Sequence, residues 1–323
     1  MKELAEDGGT RSKTIGLFYN YSIVLILILI CAVMSLLTSS FYSLGNLMNI
    51  VRQVAVVGLI AYGMTFVIIS GGIDLSAGAV VAFVGVIVAS MSKAGLPLVV
   101  VIPAGIALGA MCGLVSGVAI SWLSIPPFIA TLGLQQIARA LALIYSKGRP
   151  ISNFTDSFLF IGRGRICMIP VPIIIFILVG IICWFFLKKN KFGKHVYAIG
   201  GNELASVVCG IKVRRVKTII YVIMGALTGL AAIVLTSRVS TGNPSVGSGY
   251  ELDAITGVVI GGASLSGGSG SIFGTVIGAL IIGVLSNGLS LLGVSPYWQQ
   301  FINGSLIISA VALDMFKNKY ANR

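Results

Sequence analysis

Apolar stretches follow one another along almost the whole chain, at about 15–37, 50–70, 76–91, 96–123, 126–146, 168–187, 217–236, 250–262, 271–293 and 297–314. A run of about 17 to 25 apolar residues carries a helix through a bilayer core of about 30 Å, and most of these runs qualify. The pattern predicts an all-α polytopic transmembrane helical bundle of about ten membrane segments. Runs 76–91 and 250–262 are shorter than a full crossing and 96–123 is longer, which predicts broken or re-entrant helices. The first run has no clear small-x-small cleavage site and reads as a retained helix. A single transmembrane domain over 1–323 is expected, with polar tails at 1–14 and 315–323 and one long polar loop at 188–217.

Two of the breaks carry the same frame, G-G-x-x-L-S-x-G, at residues 71–78 and again at 261–268, with Ser264 standing where the first copy has Asp74. In hydrocarbon every backbone N–H and C=O needs a partner, so paired glycines inside an apolar run mark a helix interruption buried in protein or facing a water-filled cavity. Gly71, Gly72, Gly261 and Gly262 are the predicted break points. Matching interruptions in two halves are a feature of transporters built from internal repeats. The segment count puts both frames on the cytoplasmic side, which implies parallel halves. One miscounted re-entrant segment would invert them. A second glycine pattern, Gly105, Gly109, Gly113 and Gly117, forms a stripe on one helix face and predicts close helix packing.

Composition agrees with the membrane reading, since 57% of the residues are hydrophobic and only 10% charged, too few to cover a water-exposed surface. The net charge of +13 would suit nucleic acid, but the positions of the basic residues argue otherwise. Fourteen of the 22 Lys+Arg fall in the two tails and in 188–217, so by the positive-inside rule all three face the cytoplasm, and the number of crossings is even. The five cysteines sit singly as packing residues, and His195, the one histidine, leaves no zinc pair and no histidine relay.

A carboxylate inside an apolar run costs about 2.5 to 3.5 kcal/mol on insertion scales, so Asp74 must be wet or paired. Either Asp74 and Ser76 line a path or brace the broken helix, with Asp74 capping the start of the next one, or Asp74 does the capping alone. Within 188–217, Asn202 can cap a short helix over 202–211 on which Leu204, Val207, Val208 and Ile211 share one face before Gly210 helps end it. A solvated loop has no use for such a face, so it folds back on the membrane or docks into a partner.

The segments GGIDLSAG (71–78), IPPFIATLG (125–133), KGRPIS (147–152), YAIGGNELASVVCGIKVRRVK (197–217) and GYELDAITGVVIGGASLSGGSGSIFGTVIGALIIG (249–283) together resemble the permeases of bacterial sugar ATP-binding cassette importers. Within that family they are similar to the ribose, xylose, arabinose and galactoside group, over about residues 45 to 315. The resemblance implies a multi-pass protein of the bacterial inner membrane, paired with a second permease copy, identical or homologous. It implies a cytoplasmic ATP-binding subunit that holds ATP and magnesium, and an extracytoplasmic sugar-binding protein. On that reading Asn202, Glu203, Leu204, Ala205, Val207, Val208, Gly210 and Ile211 form the helix that couples to the ATPase. Cys209 and Ser206 depart from the family's usual Ser and Ala. The chain has no G-x-x-x-x-G-K-[ST] loop, so it is expected to bind no cofactor and to hydrolyse no ATP itself.

A polyol needs hydroxyl, amide and carboxylate partners with an aromatic face, and the candidates near helix ends are Asp74, Phe128, Thr131, Gln135, Asn287, Tyr297, Trp298, Gln299 and Asn303. Tyr297 and Trp298 equally fit an interfacial belt, and Thr131 and Gln135 equally fit interhelical hydrogen bonds. Glu251 and Asp253, with Arg149, Arg163, Arg165 and Arg238, form either a landing surface for the binding protein or a solvated loop, and Arg139 reads as a snorkelling side chain. The alternative function is an ion-coupled secondary sugar transporter, for which Asp74 is the obvious titratable group. A membrane enzyme lacks any nucleophile, base and orienter grouping. The motifs lean toward ribose at 64–78 and galactoside at 293–300, so the sugar stays open.

Overall fold

The computed structural model describes residues 23–321, the side chains of 313, 314 and 316–321 aside. Tail 1–14, the start of the first run and residues 322 and 323 lie outside the described residues. The helices are α1 (Ile23–Leu37), α2 (Leu44–Ile69), α3 (Ala77–Lys93), α4 (Leu98–Ser121), α5 (Pro127–Ser146) and α6 (Asp156–Arg163). After a ribbon of β1 (Arg165–Ile166) and β2 (Ile169–Pro170) come α7 (Val171–Lys189), α8 (Lys191–Gly201), α9 (Glu203–Val208), α10 (Val213–Val239), α11 (Tyr250–Ile260), α12 (Ile272–Leu291) and α13 (Pro296–Ala321). A helix stands at each predicted apolar run. Among the described residues six helices, α2, α4, α5, α7, α10 and α12, are long and apolar enough to cross a membrane. Helices α6 and α8 and the ribbon were not foreseen.

Burial sorts these helices into layers. In α2 83% of the most apolar window is buried and in α10 and α12 61%, against 22 to 28% in α4, α5 and α7. The first three form the centre, and the others turn apolar side chains such as Ile129, Ile177 and Ile181 outward, as a lipid-facing rim requires. Helices α2 and α12 run antiparallel and are tied at both ends. Thr65 Oγ1 and Thr275 Oγ1 lie 2.6 Å apart, and the amides of Asn46 and Asn287 exchange two hydrogen bonds of 2.9 Å. The glycine stripe of α4 packs on α10 backbone to backbone, Gly109 on Gly225 and Gly229 and Gly113 on Tyr221.

Two helices of the bundle are too short for a full crossing. At 1.5 Å per residue α3 is about 26 Å long and α11 about 16 Å, short of a 30 Å core. The missing lengths are irregular chain, residues 71–76 before α3 and 240–249 before α11. These segments let the two helices start deep inside, where Gly78 of α3 lies against the backbone of Gly247 and the carboxylate of Glu251.

A side chain at Gly113 would run into the Tyr221 carbonyl, whereas Gly133 has open space around it. Overpacking of this kind costs about 1–3 kcal/mol. Gly113→Val should therefore lower the thermal midpoint of the detergent-solubilised protein by several degrees and Gly133→Ala should leave it unchanged, as read by monodispersity after heating. Equal midpoints would contradict the packing described.

Candidate functional site at the helix interruptions

The two glycine frames end their helices by the same device. After α2, Gly71 turns left-handed (φ 78°), the Gly71 N–H donates to Ile68 O and the Gly72 N–H to Val67 O, each at 2.9 Å. After α11, Gly262 does so (φ 93°), with its N–H on Val259 O at 2.9 Å and that of Ala263 on Val258 O at 3.1 Å. Both are Schellman motifs, which satisfy carbonyls that the helix leaves open and need a residue without Cβ strain at the left-handed position. The turn uses the first glycine of one frame and the second of the other, a one-residue offset.

Asp74 is 3% exposed, and its Oδ1 accepts from the Ser76 N–H (2.8 Å) and the Ser76 hydroxyl (2.6 Å). Ser264 makes the matching turn two residues long, its Oγ accepting from the Ser266 N–H at 3.3 Å. Carboxylate and hydroxyl thus do one job, supplying the acceptor that starts the chain toward the next helix. Ser76 Oγ is the donor in this pair and makes no side-chain cap of α3 itself.

The broken ends meet one another beside α8. The Gly268 N–H donates to the carbonyl of Ile69, the last residue of α2, at 2.8 Å. Gly200 is pressed onto that same pair of atoms, and Gly267 onto Gly200. Tyr197 of α8 donates to Gly270 O at 2.7 Å, and burial raises its pKa, which keeps it a donor. Directly beyond Gly201 stands α9. Asn202 caps it, accepting from the Ala205 N–H at 2.9 Å, and Gly210 (φ 80°) ends it, so the helix is shorter than the predicted 202–211. Its apolar face is bare, with Leu204 80%, Val207 57% and Val208 87% exposed, while Ile211 is half-buried. Glu203 and Ala205 are exposed too, and Glu203 pairs with Lys217 Nζ at 2.6 Å.

The opposite end of α10 carries a cleft of about 630 Å³ lined by Asn49, Arg52, Gln53, Gly162, Arg163, Arg165, Arg238 and Asn287. Among its lining residues are four arginines and no acid, and Arg52 Nε is buried with no hydrogen-bond partner. The predicted acidic partners are elsewhere. Glu251 is only 6% exposed, with Oε1 accepting from the Gly249 N–H at 3.2 Å, so it belongs to the buried start of α11 and not to an outer charged surface. Asp253 is half-buried and accepts from Asn303 Nδ2 at 3.3 Å. Arg149 is exposed after α5. Arg139 does not snorkel: its Nη1 donates to Pro244 O (2.7 Å) and Val246 O (2.8 Å), holding the irregular stretch before α11 where a solvated end was expected.

The nine candidates for a polyol path are not brought together. Thr131 is buried and returns its hydroxyl to Pro127 O of its own helix at 2.8 Å, which is neither a path contact nor an interhelical bond. Phe128 is exposed on the rim and Gln135 half-buried. Gln299 donates to Val294 O at 2.9 Å, a local turn contact, and Tyr297 and Trp298 are exposed. Asn287 alone lines the arginine cleft. Sequence reading missed Asn46, Asn49 and Gln53, although 46, 49 and 53 repeat at helical spacing in an otherwise apolar run, a polar stripe that signals an inward face.

Interrupted helices in an apolar bundle, irregular chain held by buried side chains and a capped helix with a bare apolar face at one end are the features of a membrane transport protein. The chain belongs to the family described as the branched-chain amino acid transport system / permease component, whose model matches residues 46–311. It is 47% identical to the ribose import permease protein of Bacillus subtilis strain 168 over 90% of this chain and 91% of that one. It is 42% identical to the ribose import permease protein of Escherichia coli K12, covering 91% and 92%. The D-allose transport system permease protein of Escherichia coli K12 is 37% identical, over 93% and 92%. No solved structure matches.

Removing the guanidinium in Arg139→Ala leaves two inward carbonyls without a donor, at about 1–3 kcal/mol for a buried polar group. Amide exchange across 240–249 should then speed up by roughly an order of magnitude while that of α2 is unchanged, measured by hydrogen–deuterium exchange with mass spectrometry. Unchanged exchange in that segment would remove Arg139 from this role.

Proposed function

We propose that this chain is the transmembrane subunit of an ATP-binding cassette importer for a monosaccharide, a ribose-type pentose first, moving it into the cytoplasm by alternating access. The names of the relatives, ribose and allose permeases at 37 to 47% identity over nine-tenths of the chain, support the sugar class. The observation that carries the mechanism is the bare apolar face of α9, a helix that begins three residues after Gly200, which itself touches the end of α2 and the interruption after α11. A separate ATPase that grips this face on binding ATP and magnesium moves α8, and with it Ile69 and Gly268. The ion-coupled alternative is disfavoured because Asp74, its obvious titratable group, is buried and engaged by Ser76.

The assembly pairs two permease copies over two ATPases. The chain runs through the bacterial inner membrane with both tails and α8–α9 in the cytoplasm, as the charge distribution favours. Ten segments, two of them short helices completed by irregular chain, form two related halves with the two glycine-frame breaks on the inner side. The arginine cleft and Arg149 then face outward and receive the sugar-binding protein through its acidic side chains, with Glu251 left out of that contact.

Leu204→Glu with Val208→Asp should cut uptake of labelled ribose to background and abolish co-purification of the ATPase, with protein level and thermal midpoint unchanged. Uptake at the normal rate would end the proposal. Rim charges act mainly on encounter rate, so Arg163→Glu with Arg165→Glu should slow association of the loaded binding protein several-fold, most strongly at low salt. Surface plasmon resonance on the reconstituted complex checks this, and an unaltered salt dependence would count against the outer cleft.

A further inference from the structure

A second cleft, of about 550 Å³, opens between α7, α8 and the first turn of α12, lined by Trp184, Leu187, Lys188, Lys194, Tyr197, Ser271, Ile272 and Phe273. Its chemistry is divided. It offers the ammonium groups of Lys188 and Lys194 together with the exposed rings of Trp184 and Phe273. The rings continue into the bare apolar face of α7, where Ile177, Ile181 and Phe185 point outward. Lys188 Nζ stands 5.8 Å from the centre of the Trp184 ring.

Neither lysine has a counter-ion in the described protein. Segment 188–217 holds eight Lys and Arg and a single acid, Glu203, and that acid is taken by Lys217 at 2.6 Å. No carboxylate lines the cleft. Helix α8 packs against α7, α2 and α10, burying Gly193, Val196 and Ile199 and leaving Lys194 exposed, so the cleft sits where an apolar rim gives way to a polar end.

We propose that this cleft holds an anionic phospholipid of the inner leaflet, its phosphate between Lys188 and Lys194 and its acyl chains against Trp184 and Phe273. Paired ammonium groups without protein counter-ions call for an anion, and the adjoining aromatic and aliphatic wall calls for hydrocarbon on the same molecule. An inner-leaflet phospholipid meets both needs at once, and basic clefts between transmembrane helices on that side bind such headgroups. A lipid there bridges α8, which carries α9, to the start of α12, which follows the second interruption. The site depends on the orientation proposed above and not on the identity of the cargo.

Trp184 itself reports on the site. With Trp122 and Trp298 changed to Phe, it is the one remaining tryptophan of the three. In nanodiscs, brominated phosphatidylglycerol should quench it with an apparent affinity on the order of tenfold above that of brominated phosphatidylcholine, for two lysines near an anionic headgroup. Lys188→Gln with Lys194→Gln should bring the ratio to about one, while Lys188→Arg with Lys194→Arg should keep it. Equal quenching by the two lipids, or a preference unaffected by the Gln pair, overturns the proposal. So does loss of the preference on adding millimolar inorganic phosphate, which would make the ligand a free anion, and so does a Trp184 that no lipid quenches because a second copy covers it.

Discussion

An apolar surrounding gives backbone amides and carbonyls nothing to bond with, and that scarcity governs where this chain can leave the helix. It leaves it at 71–76, 240–249 and 261–271, and at each place side chains and turns replace the missing ladder. Gly71 and Gly262 turn the chain so that the terminal carbonyls of α2 and α11 are used. Asp74 and Ser264 accept amides two residues on. Tyr221 reaches Ile73 O at 3.2 Å, Arg139 holds Pro244 and Val246, and Ile151 exchanges hydrogen bonds with Gly242 at 3.0 and 2.7 Å. The conspicuous polar residues of the interior are accounted for by this need before any cargo is invoked.

The same requirement sets how tightly the bundle is built. Irregular chain must be sheathed in protein, so the helices around it have to come close, and glycine allows that. Gly78 on Gly247, Gly109 on Gly225 and Gly261 on Gly274 are contacts of backbone on backbone with no room for a methyl group. Such packing resists continuous deformation and favours movement of whole segments between discrete arrangements.

Much of this was legible in the residues taken in order. The apolar runs gave the helix sites, the glycine stripe gave the α4 face and G-G-x-x-L-S-x-G gave both break points, because each depends on neighbours close in sequence. Asn202 and Gly210 delimited α9 for the same reason, although its final turn is taken up by Gly210. Contacts spanning long stretches of chain were hidden. Arg139 reaches a segment more than a hundred residues away, and Asn46 pairs with Asn287, so neither partner announces the other. Glu251 was misread because its run of turn formers resembles an exposed loop, and only the dip of 240–249 into the bundle shows why it is buried.

The crossing of Gly200 over Ile69 and Gly268 has a mechanical meaning. A junction lined by side chains can soak up a small displacement by changing rotamers, much as a cushion takes up slack. Here three stretches of main chain bear on one another with nothing between them. The contact is therefore stiff: a displacement of any one of the three stretches has no soft layer in which to fade before it meets the other two.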